Sequence, residues 1–169
     1  MEDYSKIILG TGNYENVKRG NTVSITGDGG NAWGYHGRAF KKLAPRLKTY
    51  EKYIHDIEFL RNLSYDLKEY KREAKRIEDE YIRSYYETRL KDVYIYDLLE
   101  ELYTRFGENI ILLCHEPNGE FCHRRVLADY IELETGMYIP EVSVDEDYNV
   151  KKLKPTIYKN RVYDIINKI

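Results

Sequence analysis

Several scarcities narrow the reading before any motif is considered. Two cysteines in 169 residues are too few for the disulfide frameworks that small secreted domains build from four or more. A reducing, cytoplasmic setting is expected. No stretch approaches the ~18 apolar residues of a membrane-spanning helix, and the start, Met1-Glu2-Asp3-Tyr4-Ser5-Lys6, is acidic where a signal peptide is basic. Neither sign of charge dominates. With 27 Lys and Arg against 29 Asp and Glu, the net charge of -2 supplies no overall field for gripping a polyanion, so neither nucleic acid nor a membrane is the favoured partner. From Arg38 to Arg105 glycine is absent and proline appears once, at Pro45, which predicts a helical middle.

What is present reads as a soluble globule, with 42% apolar and 33% charged residues. The length predicts one α/β domain over residues 1–169, with a helical insertion at about 50–92 and a tail at about 150–169. Tyrosine is the compositional oddity, with 18 copies against 4 Phe and 1 Trp. Such residues line half-buried surfaces with the hydroxyl in water, or they build a stacking platform for bases.

Eight of the eleven glycines fall between Gly10 and Gly37. Lys6–Leu9 reads as a strand entering the turn Gly10-Thr11-Gly12-Asn13, and Thr22–Thr26, rich in β-branched residues, as a second strand entering Gly27-Asp28-Gly29-Gly30-Asn31. In the helical middle, Leu67, Tyr70, Ala74, Ile77, Tyr81 and Tyr85 draw one apolar stripe down a helix of about 25 residues. That stripe packs on the parent domain, or it forms a homodimer or partner helix over 66–90. A further helix, Tyr94–Phe106, should stop at Gly107. Asn109–Cys114 is apolar without alternation, as a strand buried on both faces would be. After Pro117-Asn118-Gly119 comes a helix over Phe121–Thr135 closed by Gly136, then a strand at Met137-Tyr138-Ile139. Strand, helix and strand make a βαβ unit, and the tail reads as a docking helix.

That unit brings two Cys-His pairs together, Cys114-His115 at a strand end and Cys122-His123 at a helix start. Ligands of open α/β sheets bind at the carboxyl ends of the strands. A helix start offers unpaired N–H groups to an anion, and Arg124 and Arg125 would add planar donor forks. The same placement would depress the pKa of Cys122 and make it a nucleophile. A phosphatase loop is excluded, because the position six after Cys114 is Glu120 rather than arginine. Zinc fits the residue types, but seven residues separate the cysteines, and neighbours in a strand or helix point apart. At most one member of each pair is expected to face a common centre, and no stoichiometric metal or cofactor is expected. The plainer alternative makes Cys114 a small buried hydrophobe and His123 a helix-start residue bonded to a carbonyl.

Leu112-Leu113-Cys114-His115-Glu116, Phe121-Cys122-His123-Arg124 and Leu127-Ala128 together resemble the hallmark of the domain of unknown function 488 family. Gly10–Tyr14, Val23-Ser24-Ile25 and Leu43-Ala44-Pro45 extend the resemblance, which covers residues 6–50 and 93–143. It implies a Rossmann-like, mostly parallel sheet flanked by helices, with the cysteine motif at the mouth of a pocket and no settled activity. His115 stands where the family varies, so no role is carried onto it. Such folds often handle nucleotides, although fold alone does not establish function.

Neither phosphate-loop fingerprint is complete. Gly10-Thr11-Gly12 meets Glu15 where a dinucleotide loop needs glycine, and Gly27–Gly37 lacks Gly-Lys-Ser/Thr. The glycine loops still admit a ligand close to the backbone. Two functions are carried forward for an anionic, nucleotide-like small molecule. In the first, an enzyme uses Glu116 as acid or base and Cys122 or His123 as nucleophile or proton carrier, with Cys114 beside them. Arg124, Arg125, Asn118, Gly10, Thr11, Gly12, Asn13, Ser24, Trp33, Tyr35 and His36 would contact the ligand. In the second, a binding module captures the same molecule without turning it over.

Overall fold

A computed structural model describes residues 3–63 and 66–168. Along the chain run β1 (Ile8–Asn13), β2 (Asn21–Ser24), the short hairpin of β3 (Asn31–Ala32) and β4 (Tyr35–His36), α1 (Leu47–Arg61), α2 (Leu67–Tyr85), α3 (Ile95–Phe106), β5 (Ile110–Cys114), α4 (His123–Thr135), β6 (Glu141–Val144), β7 (Val150–Leu153) and α5 (Lys159–Asn167). The main sheet has the order β2-β5-β1-β6-β7. Its first four strands are parallel and β7 returns antiparallel to β6. This is an α/β fold.

The unbroken apolar run of β5 is explained by its place between β1 and β2, where every residue is buried. Strand residues alternate between faces. Ile110 and Leu112 accordingly join the large core that includes Leu98, Leu99 and Leu102 of α3 and Val126, Leu127 and Ile131 of α4. Ile111 and Leu113 face a smaller cluster with Val17, Val142 and Val144.

Local signals set three of the helix ends. Asp66 caps α2 by accepting a hydrogen bond from the Glu69 N–H at 2.8 Å, satisfying a donor the helix cannot use itself. The C-terminal part of the stripe on α2 packs inside the chain, with Ile77, Tyr81 and Tyr85 buried, whereas Leu67 at its start is exposed, and the helix passes into a π-helical turn at Tyr86–Leu90. Gly107 (φ 85) follows α3, and Gly136 (φ 77) closes α4 in the left-handed conformation that glycine adopts without penalty. Among the described residues no helix is long and apolar enough to cross a membrane.

Three boundaries differ from the sequence reading. Gly10–Asn13 is not a turn; it is the second half of β1, paired with Ile111–Cys114. Glycine disfavours strands in general, but here its lack of a side chain lets β1 pack closely. A Cβ at Gly10 would lie 2.8 Å from the Pro140 carbonyl oxygen, and one at Gly12 would lie 2.6 Å from Val17 Cγ2. Met137–Ile139 precedes the strand that was expected there, and β6 begins at Glu141, after Pro140. The tail is not helical throughout, since Val150–Leu153 pairs as β7 before α5 begins.

Candidate functional site

The parallel register sets Asn13 beside Cys114 and Leu113 beside Ser24, so the loops leaving β1, β2 and β5 emerge at one sheet edge. A cavity of about 430 Å³ opens there. Thr26, Gly27 and Asp28 line it from the loop after β2, His115 and Glu116 from the loop after β5, and His123 from the start of α4. Trp33, Lys41, Tyr50 and Arg89 complete the wall.

The two Cys-His pairs meet beside this cavity, more fully than expected. Cys114, Cys122 and His123 present one ligand atom each, all within 4.8 Å of one another. The two cysteines stand as a disulfide pair with Cα atoms 7.8 Å apart. The expectation that at most one member of each pair would face a common centre is corrected by backbone conformation. Cys122 is not a helical residue but the N-cap of α4, extended at φ -154 and ψ 139, so the 100° divergence of helix neighbours does not apply between it and His123.

His123 Nε2 lies 2.6 Å from the Ile25 carbonyl, which can only accept a proton. Burial pushes the His123 pKa down to about 4, and the charges of Arg124 and His115 act in the same direction against the Ile25 bond. The ring is therefore neutral near pH 7, with its proton on Nε2. Tyrosines keep it dry. The Tyr85 ring packs edge-on to His123 at 5.6 Å, and Tyr81 and Tyr53 each sit 5.1 Å from Phe121. These tyrosines are thus core and interface material rather than a base-stacking row. Glu116 Oε2 lies 3.0 Å from Cys122 Sγ, and burial raises the Glu116 carboxyl despite the opposing charge of His115.

The arginines are not where the sequence reading set them. Arg124 is wholly buried, with Nε and Nη2 on the Glu141 carboxylate at 2.7–3.1 Å and Nη1 donating to the sulfurs of Cys114 and Cys122 at 3.3 and 3.2 Å. Arg125 donates to Thr11 Oγ1 at 2.8 Å and to the Ile139 carbonyl at 2.9 Å. Both guanidinium groups serve protein partners, so neither is an anion clamp on the cavity wall. The cations that do line the cavity are Lys41 and Arg89. Arg89 Nε donates to the Ala44 carbonyl at 2.6 Å, and burial and the nearby Arg46 charge lower the Arg89 pKa.

The other expected contacts divide. Trp33 lines the cavity and stacks on His115, with ring centroids 4.6 Å apart and planes within 7°. No role had been read for His115. Gly10, Thr11, Gly12 and Asn13 are committed to the sheet, and Thr11 Oγ1 donates to Glu141. Ser24 is buried in a hydroxyl group with Tyr14 and Thr26. Tyr35 stacks on Tyr14, and His36 bonds Asn31. Asn118 donates to the Lys154 carbonyl at 3.4 Å. None of these residues lines the cavity. Lys41, Tyr50 and Arg89 escaped the sequence reading because they come from segments without a motif. A larger hollow of about 880 Å³ lies along α1 and α2, but its Lys52 is already paired with Asp56 and Glu80, and Glu116 and His123 do not line it.

Residues 33–131, more than half the chain, match the model of the family described as Domain of unknown function DUF488. The chain belongs to that family. The DUF488 match spans both α1 and α2 and the cysteine motif. No curated protein and no solved structure matches the chain.

Proposed function

We propose that the cavity binds an anionic, nucleotide- or nucleoside-related molecule and processes it by transfer or hydrolysis. The observation that carries this reading is the parallel stack of Trp33 on His115 at a cavity that also holds Lys41, Arg89 and Glu116. Exposed aromatic planes offer a π-face to a base. Lys41 and Arg89 supply positive charge for phosphate or carboxylate, and the volume lies within the range of small-molecule sites. Glu116 is the acid or base, placed between the cavity and Cys122, while neutral His123 is a proton carrier.

Incubating the protein with a mixture of nucleosides and nucleotides, then separating and weighing what is retained, tests the reading. A retained nucleotide recovered with changed mass supports processing, and Glu116→Gln should keep retention while abolishing the change. Retention with no change in any component points instead to capture by a binding module. If nothing is retained at millimolar ligand, the reading fails.

A further inference from the structure

We propose that, in the dithiol state, Cys114, Cys122 and His123 form a binding site for a zinc-class divalent ion beside the cavity, which His123 and Glu116 line. The donor set is two sulfurs and one imidazole within 4.8 Å of one another. Thiolate and imidazole are the ligands zinc prefers, at ~2.3 Å and ~2.0–2.1 Å respectively.

The backbone spacing suits an ion better than a bond. Disulfides usually span about 4.4–6.8 Å between Cα atoms, and here the separation is 7.8 Å. Two thiolates on one tetrahedral ion sit about 3.8 Å apart at the sulfurs, given ~2.3 Å bonds, and that wider bite fits the wider backbone. Glu116 Oε2 lies 3.0 Å from Cys122 Sγ, and once the disulfide is opened that carboxylate stands where it can accept a hydrogen bond from the Cys122 thiol.

The surroundings are those of a metal site. The Ile25 carbonyl holds His123 Nε2 at 2.6 Å, which leaves the lone pair of the neutral ring on Nδ1. A backbone acceptor on the far nitrogen is the usual way a ligating histidine is oriented. Arg124 Nη1 lies within hydrogen-bond distance of both sulfurs. Its own charge is met by Glu141, so two thiolates and one divalent ion add no net charge to the interior. Three protein donors leave a fourth position for water or substrate, the arrangement of catalytic rather than structural zinc. Glu116, with Oε2 near Cys122 and Oε1 3.4 Å from His115 Nε2, stands outside the donor set as the base for that water. A carboxylate beside a His-Cys-Cys zinc site is the chemistry of hydrolytic attack on a ring carbon.

The step balances. A thiol-class reductant supplies two electrons and two protons to open the disulfide, and itself becomes the disulfide. The ion then displaces both thiol protons to solvent. The inference does not depend on the nucleotide reading, because the probe is the metal alone.

The test is cobalt(II) titration of chelator-treated full-length protein under a phosphine reductant, with thiols counted in parallel. Expected are one ion per chain, a sulfur-to-cobalt charge-transfer band, the visible bands of a tetrahedral ion, and displacement by zinc. Oxidation to the disulfide should abolish binding, and Cys114→Ser, Cys122→Ser and His123→Gln should each weaken it at least tenfold. Because the cysteine variants could unfold, the oxidised and reduced wild-type forms provide the decisive pair. A folded chain with two titratable thiols and no charge-transfer band overturns the proposal, as does a band that survives oxidation. Loss of nucleotide retention with the cobalt spectrum intact would sink only the reading of the ligand.

Discussion

Arg124 and Glu141 form a bidentate pair inside the protein, with the guanidinium and carboxylate side chains 0% and 1% exposed. The pair joins the first turn of α4 to the start of β6, and the third arm of the guanidinium reaches both cysteine sulfurs. Removing one partner of such a pair strands the other charge in a dry interior, at a cost of about 3–5 kcal/mol. Arg124→Met should therefore lower stability by that order in urea or thermal melts, and the double variant Arg124→Met/Glu141→Gln should recover part of the loss. If the single variant melts like wild type, Arg124 faces water and the description of the site is wrong.

Glycine at two positions serves two different ends. A methyl group at Gly12 would meet Val17 Cγ2 at 2.6 Å and the Val142 carbonyl oxygen at 3.0 Å, whereas one at Gly27 would meet nothing within 4 Å. Overpacking of this kind costs roughly 1–3 kcal/mol. Gly12→Ala should destabilise the fold by that amount, while Gly27→Ala should leave the melting temperature unchanged. Equal melting temperatures for the two variants would refute the close packing of β1. Leu113→Ala, a truncation in the smaller cluster, should cost ~2–5 kcal/mol by the same measurement.

Trp33 is the single tryptophan of the chain, 66% exposed, and lies against the cavity. Its emission is therefore a direct report on ligand entry. Any nucleotide retained by the protein should quench or shift that emission. Trp33→Ala should weaken binding about tenfold or more, since stacking a base on an aromatic ring is worth ~1–3 kcal/mol, without altering the melt. Unchanged affinity would remove the ring platform from the binding mechanism.

Asp129 secures the approach to α5. Its Oδ2 accepts a hydrogen bond from the buried Tyr158 N–H at 2.5 Å, and its other oxygen lies 3.8 Å from Arg125. Asp129→Ala leaves that N–H without a partner and should cost ~1–3 kcal/mol, whereas Asp129→Asn keeps an acceptor and should cost less. Burial raises the Asp129 carboxyl above its ordinary 3.8, against the Tyr158 bond and the Arg125 charge. The folded chain thus holds that proton more tightly than the unfolded one, and the associated stability declines as pH rises from 3.8 through the raised value. The Asn variant should lack this component of the pH dependence in acid melts.

What could be read from the sequence was what neighbours in the chain decide. The Gly107 and Gly136 stops and the buried run of β5 are local features, and the structure has them where the residues call for them. The meeting of Cys114, Cys122 and His123 was legible because a strand end and a helix start are close in any βαβ unit. The arginines were misread because their main hydrogen-bond partners are remote. Glu141 lies 17 residues from Arg124, and Thr11 lies 114 from Arg125. The local signal was Asp129, four residues after Arg125 and 3.8 Å from it, and it went unread. Lys41 and Arg89 were missed for the converse reason, being ordinary basic residues until the fold sets them in the wall of the same cavity as Glu116.

The sheet order carries a consequence for how the chain must assemble. β1 and β2 are made first, yet β1 never pairs with β2 directly; each waits for β5, and Ile8 meets Ile110 about a hundred residues later. Closing so long a loop is slow. During synthesis the helices between them can form from local contacts, but two edges of unmet N–H and C=O groups stay open until Cys114 has left the ribosome. A chain halted before Ile110 would present those edges to other chains, so premature termination should yield aggregates rather than a smaller folded core.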